Sequence, residues 1–121
     1  MSRVIHFEIP SDDPEKAQQF YAKVFGWKTS QWANQPYWLC STGDAASPGI
    51  DGAIIKKRGP DHPLVNTIGV DNLDETVKSI EANGGIIVVP KMALAGIGWL
   101  AFFKDTDGNI MGIMQSDTQA Q

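Results

Sequence analysis

His6 and Glu8 are the first residues whose types and spacing could do chemistry. They fall in residues 3–9, where Ile5, Phe7 and Ile9 alternate with Val4, His6 and Glu8. That period of two is the period of a strand, so the imidazole and the carboxylate share one face. An imidazole titrating near neutrality suits a general base or a hydrogen bond to a ligand, and a carboxylate beside it could act as acid or base. His6 and Glu8 are therefore the candidate catalytic residues. The plainer readings are a histidine satisfied by a neighbour and a solvated carboxylate near a strand end. Four tryptophans in 121 residues are generous, and aromatic rings supply large contact area to planar or apolar ligands. Trp32, Trp38, Trp99 and Phe103 are the candidate ligand-binding residues, with Tyr37 a further aromatic of interest beside the tryptophans. His62, between Asp61 and Pro63, reads as an exposed turn residue.

At 13.2 kDa, with 42% hydrophobic and 20% charged residues, the chain has the size and composition of a single globular domain, which excludes intrinsic disorder. A net charge of -4 and a pI near 4.9 argue against nucleic-acid binding, which needs a basic face. The one basic run, Lys56-Lys57-Arg58, reads as a solvated strand end or as a contact for an anionic substrate group. Cys40 is the sole cysteine and cannot form an intrachain disulfide, which suits a reducing compartment. The longest apolar stretches, at 86–90 and 92–95, are far short of the ~20 residues that span a bilayer. Met1-Ser2-Arg3 leads directly into a strand pattern, not a signal-peptide core. The expectation is a soluble cytoplasmic protein that meets neither membrane nor nucleic acid.

The elements that must position these residues follow from periodicity. After the first strand, Asp13 caps a helix with Pro14 in its first position, and Ala17, Phe20, Tyr21, Val24 and Phe25 recur at helical spacing until Gly26. Strands are predicted at 27–30, 37–42 and 53–57, and a short linker at 59–63. The order then repeats: a strand at 65–70, a helix at 73–83 capped by Asn72, and strands at 86–89, 99–104 and 110–116. Residues 92–99 read as a loop, flexible enough to cover a cleft, or as an ordinary connection. Residues 105–109 resemble a calcium loop only superficially and read as a hairpin turn. Placing His6 beside Asn66 aligns the halves as two βαβββ modules, about 1–58 and 64–116 within a single domain spanning 1–121, as an internal duplication would. The fold class is α+β, an open, barrel-like curved mixed sheet with the helices outside. Both faces of the central strands are largely apolar, so the face without helices must meet a ligand, a partner, or both.

His6 opening a strand-turn-helix, Phe20-Tyr21 through Phe25-Gly26-Trp27, Val70-Asp71-Asn72 with Gly84-Gly85, and residues 102–108 together resemble the vicinal oxygen chelate superfamily, which includes glyoxalases (lactoylglutathione lyases), bleomycin-resistance proteins and extradiol dioxygenases. The resemblance covers nearly the whole chain. It implies a cleft that binds a small molecule, a homodimer, and in many members a divalent metal held by four strands, two per module. Only His6 matches a ligand position of that pattern. The others fall near Ile55 or Lys56, near Val65 or Asn66, and on Gly112. A catalytic metal generally needs about three protein ligands, so no metal ligand and no cofactor is expected. Zinc, nickel, iron or manganese would require recruiting Glu8 with His62 or Asp51. The leading expectation is a glyoxalase-like protein binding a small organic molecule in an apolar, aromatic cleft. The alternatives are a lyase, isomerase or dioxygenase-type enzyme acting on small oxygenated or thiol-conjugated substrates through His6, and a dimeric interaction module.

Overall fold

The computed structural model describes residues 2–121. The elements run β1 (Arg3–Ser11), α1 (Pro14–Phe25), β2 (Lys28–Gln31), β3 (Tyr37–Ser41), β4 (Gly52–Lys56), β5 (Val65–Gly69), α2 (Leu73–Ala82), β6 (Ile86–Leu94), β7 (Gly98–Lys104) and β8 (Ile110–Ser116). The chain divides into two units, residues 6–65 and residues 2–5 with 66–121. Among the described residues, no helix is long and apolar enough to cross a membrane.

In the first unit the strand order is β2-β3-β4-β1, with β1 parallel to β4 and the hairpin strands antiparallel. Asp13 accepts the Lys16 N–H at 3.2 Å and so caps α1, with Pro14 in the first turn, where its missing N–H costs nothing. Gly26 ends the helix at φ +76°, a left-handed conformation that favours glycine. Thr29 of β2 donates to the Gln18 side chain of α1 at 2.8 Å. That bond identifies the helix-covered face of the sheet. Tyr21, Phe25 and Trp27 form an aromatic cluster at the helix end, and Phe7 of β1 reaches Trp27 at 5.8 Å between ring centres.

The second unit repeats the plan. Its order is β5-β8-β7-β6, with β5 parallel to β8 and the rest antiparallel. Asn72 caps α2 by accepting the Glu75 N–H at 3.0 Å, and Gln115 of β8 accepts the Leu73 N–H at 2.8 Å. The core under α2 is Val70, Leu73, Ala101 and Ile113, with Ile68, Val77, Ile80, Trp99 and Phe103 packed against it. The turn at 105–109 is closed by the Asp105 carboxylate, which accepts the N–H groups of Asp107 and Asn109 at 2.9 Å each.

Two sequence expectations need correction. Residues 92–99 are not a loop over a cleft: β6 continues to Leu94, and a turn in which the Ile97 N–H returns to the Leu94 carbonyl leads into β7 at Gly98. Pro90 sits where β6 shifts register between Val89 and Met92, a place that tolerates a missing donor. The module alignment also moves by one residue. The two helix caps, Asp13 and Asn72, and the parallel pairs Glu8–Ala53 and Thr67–Gly112 all stand at one common offset, which places His6 beside Val65 instead of Asn66. Such a slip exchanges the faces of a strand, because its side-chain period is two.

Candidate functional site

The helix-free face of the first unit is built in rows across the strands. Lys28 lies opposite Ser41; Ser30, Leu39, Ala53 and Glu8 form the next row; Tyr37, Ile55 and Pro10 form the one after. His6 shares this face with Glu8 by alternation. At the middle stands Ala53, fully buried.

His6 Nε2 lies 2.8 Å from Tyr37 Oη, and the two ring planes are within 8° of parallel. The nearer Glu8 carboxylate oxygen is 3.9 Å from the same nitrogen. Burial pushes the Tyr37 hydroxyl well above its ordinary range, and the Glu8 carboxylate, which accepts from it, pushes the same way. Tyr37 therefore stays protonated. Burial also lowers the His6 imidazole, with Glu8 acting in opposition. One arrangement satisfies all three groups: neutral His6 donates from Nε2 to Tyr37 Oη, and the phenol donates to Glu8. In that arrangement Nδ1 carries the lone pair.

Beside His6 lies a cavity of about 380 Å³ whose lining includes Lys28, Ser30, Leu39, Ser41 and Asp51. Leu39 is 42% exposed, an apolar surface facing this space. Asp51 is anchored by Thr42, whose N–H and hydroxyl reach Oδ1 at 2.9 and 3.3 Å. Buried Cys40 is part of the wall, and burial followed by the Asp51 charge raises its thiol. At the linker, His62 Nδ1 accepts the Arg58 N–H at 3.1 Å. Burial and then Arg58 lower its imidazole, while Glu8 opposes them.

Of the candidate residues, the structure brings together His6 and Glu8, and Trp32 meets Tyr37 edge-on at 5.9 Å. Three other candidates stand apart from this group. Trp38 shares the strand face of Cys40 and its partner Thr29, the face that α1 covers. Trp99 and Phe103 pack against the core under α2, and Trp99 Nε1 donates to Asp117 at 3.0 Å while the Lys91 ammonium sits 4.7 Å above its ring. When both faces of a strand are apolar, alternation separates two sets of residues without saying which set a helix covers. Tyr37 stood among the aromatic residues of interest, but its meeting with His6 was not legible for this reason. A signal was present, since Ser41, Lys28 and Ser30 mark the wetter of the two alternating sets.

The superfamily's divalent centre can be tested against this donor set. One imidazole, one carboxylate and a phenol stand together in the first unit. The positions of the second module equivalent to His6, Glu8 and Ala53 are Val65, Thr67 and Gly112, none of which offers an imidazole or a carboxylate. Among the described residues, no three His, Cys, Asp or Glu side chains gather as a metal site would require. The residues do not fit that centre.

Comparison with known proteins agrees with the fold. The family model described as bleomycin resistance protein-like N-terminal matches residues 3–38. A glyoxylase-like domain-containing protein of Didymella fabae is 31% identical over 112 residues, covering 88% of each chain. Among solved structures, a glyoxalase/bleomycin resistance protein/dioxygenase superfamily member from Vibrio splendidus 12B01 aligns with a TM-score of 0.68 at 14% identity, over 96% of this chain and 100% of that one. A methylmalonyl-CoA epimerase in complex with methylmalonyl-CoA and ammonium aligns at 0.71 and 14% identity, over 100% and 99%. The chain belongs to the glyoxalase-like family of the vicinal oxygen chelate superfamily. At these identities the structural likeness is one of fold, so activity must be argued from the site.

Proposed function

We propose that the helix-free face carrying His6, Glu8 and Tyr37 binds a small organic molecule, and does so without the superfamily's usual divalent metal. The observation that carries this reading is the engagement of His6 Nε2 with Tyr37 at 2.8 Å, beside an open cavity with an apolar wall. An imidazole tied to a phenol, with Nδ1 left over, is arranged to receive a ligand's hydrogen bond. A CoA ester bound to a protein of the same fold supports a small organic ligand. The second reading is a lyase or isomerase in which His6 moves a proton. It is favoured by the lowered basicity of His6, which leaves the imidazole neutral at physiological pH and able to accept one.

The test is a screen of small oxygenated, aromatic and thioester compounds by tryptophan fluorescence in chelator-treated protein, with Trp32 beside Tyr37 as a reporter. Saturable binding without metal is expected, weakened roughly three- to tenfold in His6→Ala or Tyr37→Phe, as the loss of one hydrogen bond implies. Binding that needs added Zn²⁺ or Ni²⁺ would contradict the reading. Turnover abolished by His6→Ala while binding persists would favour the enzyme.

A further inference from the structure

The cavity beside His6 has a chemical polarity that narrows its ligand. At one end β2 presents Lys28 and Ser30, which pair across the sheet with Ser41 and Leu39. The orientation of β2 is fixed from behind, because Thr29 between them is held by Gln18 at 2.8 Å. Among the described residues, the Lys28 ammonium and the Ser30 and Ser41 hydroxyls make no hydrogen bond or ion pair. By contrast, Lys91 is committed to Asp74 at 3.2 Å. Three groups able to donate thus face one space. Asp51 carries the opposing charge and is held at its own end by Thr42 at 2.9 Å. An anion entering the cavity is repelled there and drawn to Lys28. Between the ends, Leu39 offers apolar surface.

We propose that this cavity binds a small organic acid, its anionic group held by Lys28 with Ser30 and Ser41 and its apolar body lying over Leu39 toward His6. This rests on the small-molecule reading above and adds the class of ligand. With one cation on the cavity wall, the geometry selects a monoanion attached to an apolar body.

Two fluorescent probes separate the parts. 8-Anilinonaphthalene-1-sulfonate and N-phenyl-1-naphthylamine share one aromatic body and differ in the sulfonate. Both are titrated at low ionic strength into the wild-type chain, Lys28→Gln, Lys28→Glu and Leu39→Ser, all at exposed positions. The expected result is tighter binding of the sulfonate than of the neutral probe by the wild type. Lys28→Gln should weaken the sulfonate about fivefold, the upper range for an exposed ion pair, and Lys28→Glu should weaken it further, with the neutral probe unchanged. Leu39→Ser should weaken both. If Leu39→Ser weakens both probes but neither Lys28 variant affects the sulfonate, the anionic subsite is overturned and small-molecule binding stands. If neither probe binds, or Leu39→Ser affects neither, the binding reading falls and the subsite falls with it.

Discussion

At 2.8 Å from Tyr37 Oη, His6 Nε2 is committed within the protein. Burial lowers the imidazole from its ordinary 6.5, so the folded chain resists protonation that the unfolded chain accepts. The sign follows: stability due to neutral His6 is fully present above about pH 6.5 and is lost as pH falls through the lower folded value. Urea unfolding between pH 8 and pH 5 should therefore show a steeper loss in the wild type than in His6→Gln; equal slopes would mean that the imidazole is not desolvated. The pairing of His6 with Glu8 was legible in sequence, because both lie on one strand and a period of two puts them on one face. The partnership with Tyr37 was not. It joins residues thirty-one positions apart, and no local periodicity reports which rings meet across a sheet.

The strands hold these groups in place through small residues. Gly52 opens β4 beside β1, and a β-carbon there would run into the Phe7 carbonyl and ring. Ala53, next along, is fully buried between Glu8 and Leu39 in the pairing of β1, β4 and β3. Gly52→Ala should force β4 away from β1 and cost about 1 to 3 kcal/mol in urea unfolding, the usual range for overpacking. It should weaken ligand binding as well, since Glu8 pairs with Ala53 across the same two strands. An unchanged midpoint would show that β1 and β4 yield without strain. Helices and caps were the most legible elements, because Asp13-Pro14, Gly26 and Asn72 act through their own backbone neighbours. β6 was the least legible. The segment read as a loop from residue 92 is instead held in β6 to Leu94 by antiparallel pairing with β7 across a register shift.

On the scale of the whole molecule, both units share one order of strands and one pattern of parallel and antiparallel pairs, while the chemistry stands in the first. The duplication was visible in the order of elements. Its offset depended on equating residues inside strands, where a one-residue error reverses every face, whereas the helix caps Asp13 and Asn72 set it, and the pairs Glu8–Ala53 and Thr67–Gly112 are consistent with it. With Val65, Thr67 and Gly112 as the counterparts of His6, Glu8 and Ala53, the second module offers no imidazole or carboxylate at those positions. The superfamily's metal arrangement, two ligands from each module, therefore has no counterpart in this donor set. The most direct test is elemental analysis of untagged protein purified without chelators, followed by calorimetric titration of Zn²⁺, Ni²⁺, Fe²⁺ and Mn²⁺ into the wild type and His6→Ala. The expected result is no stoichiometric metal and no heat that depends on His6. Uptake of one equivalent by the wild type, lost in His6→Ala, would contradict metal-free binding and identify His6 as a metal ligand.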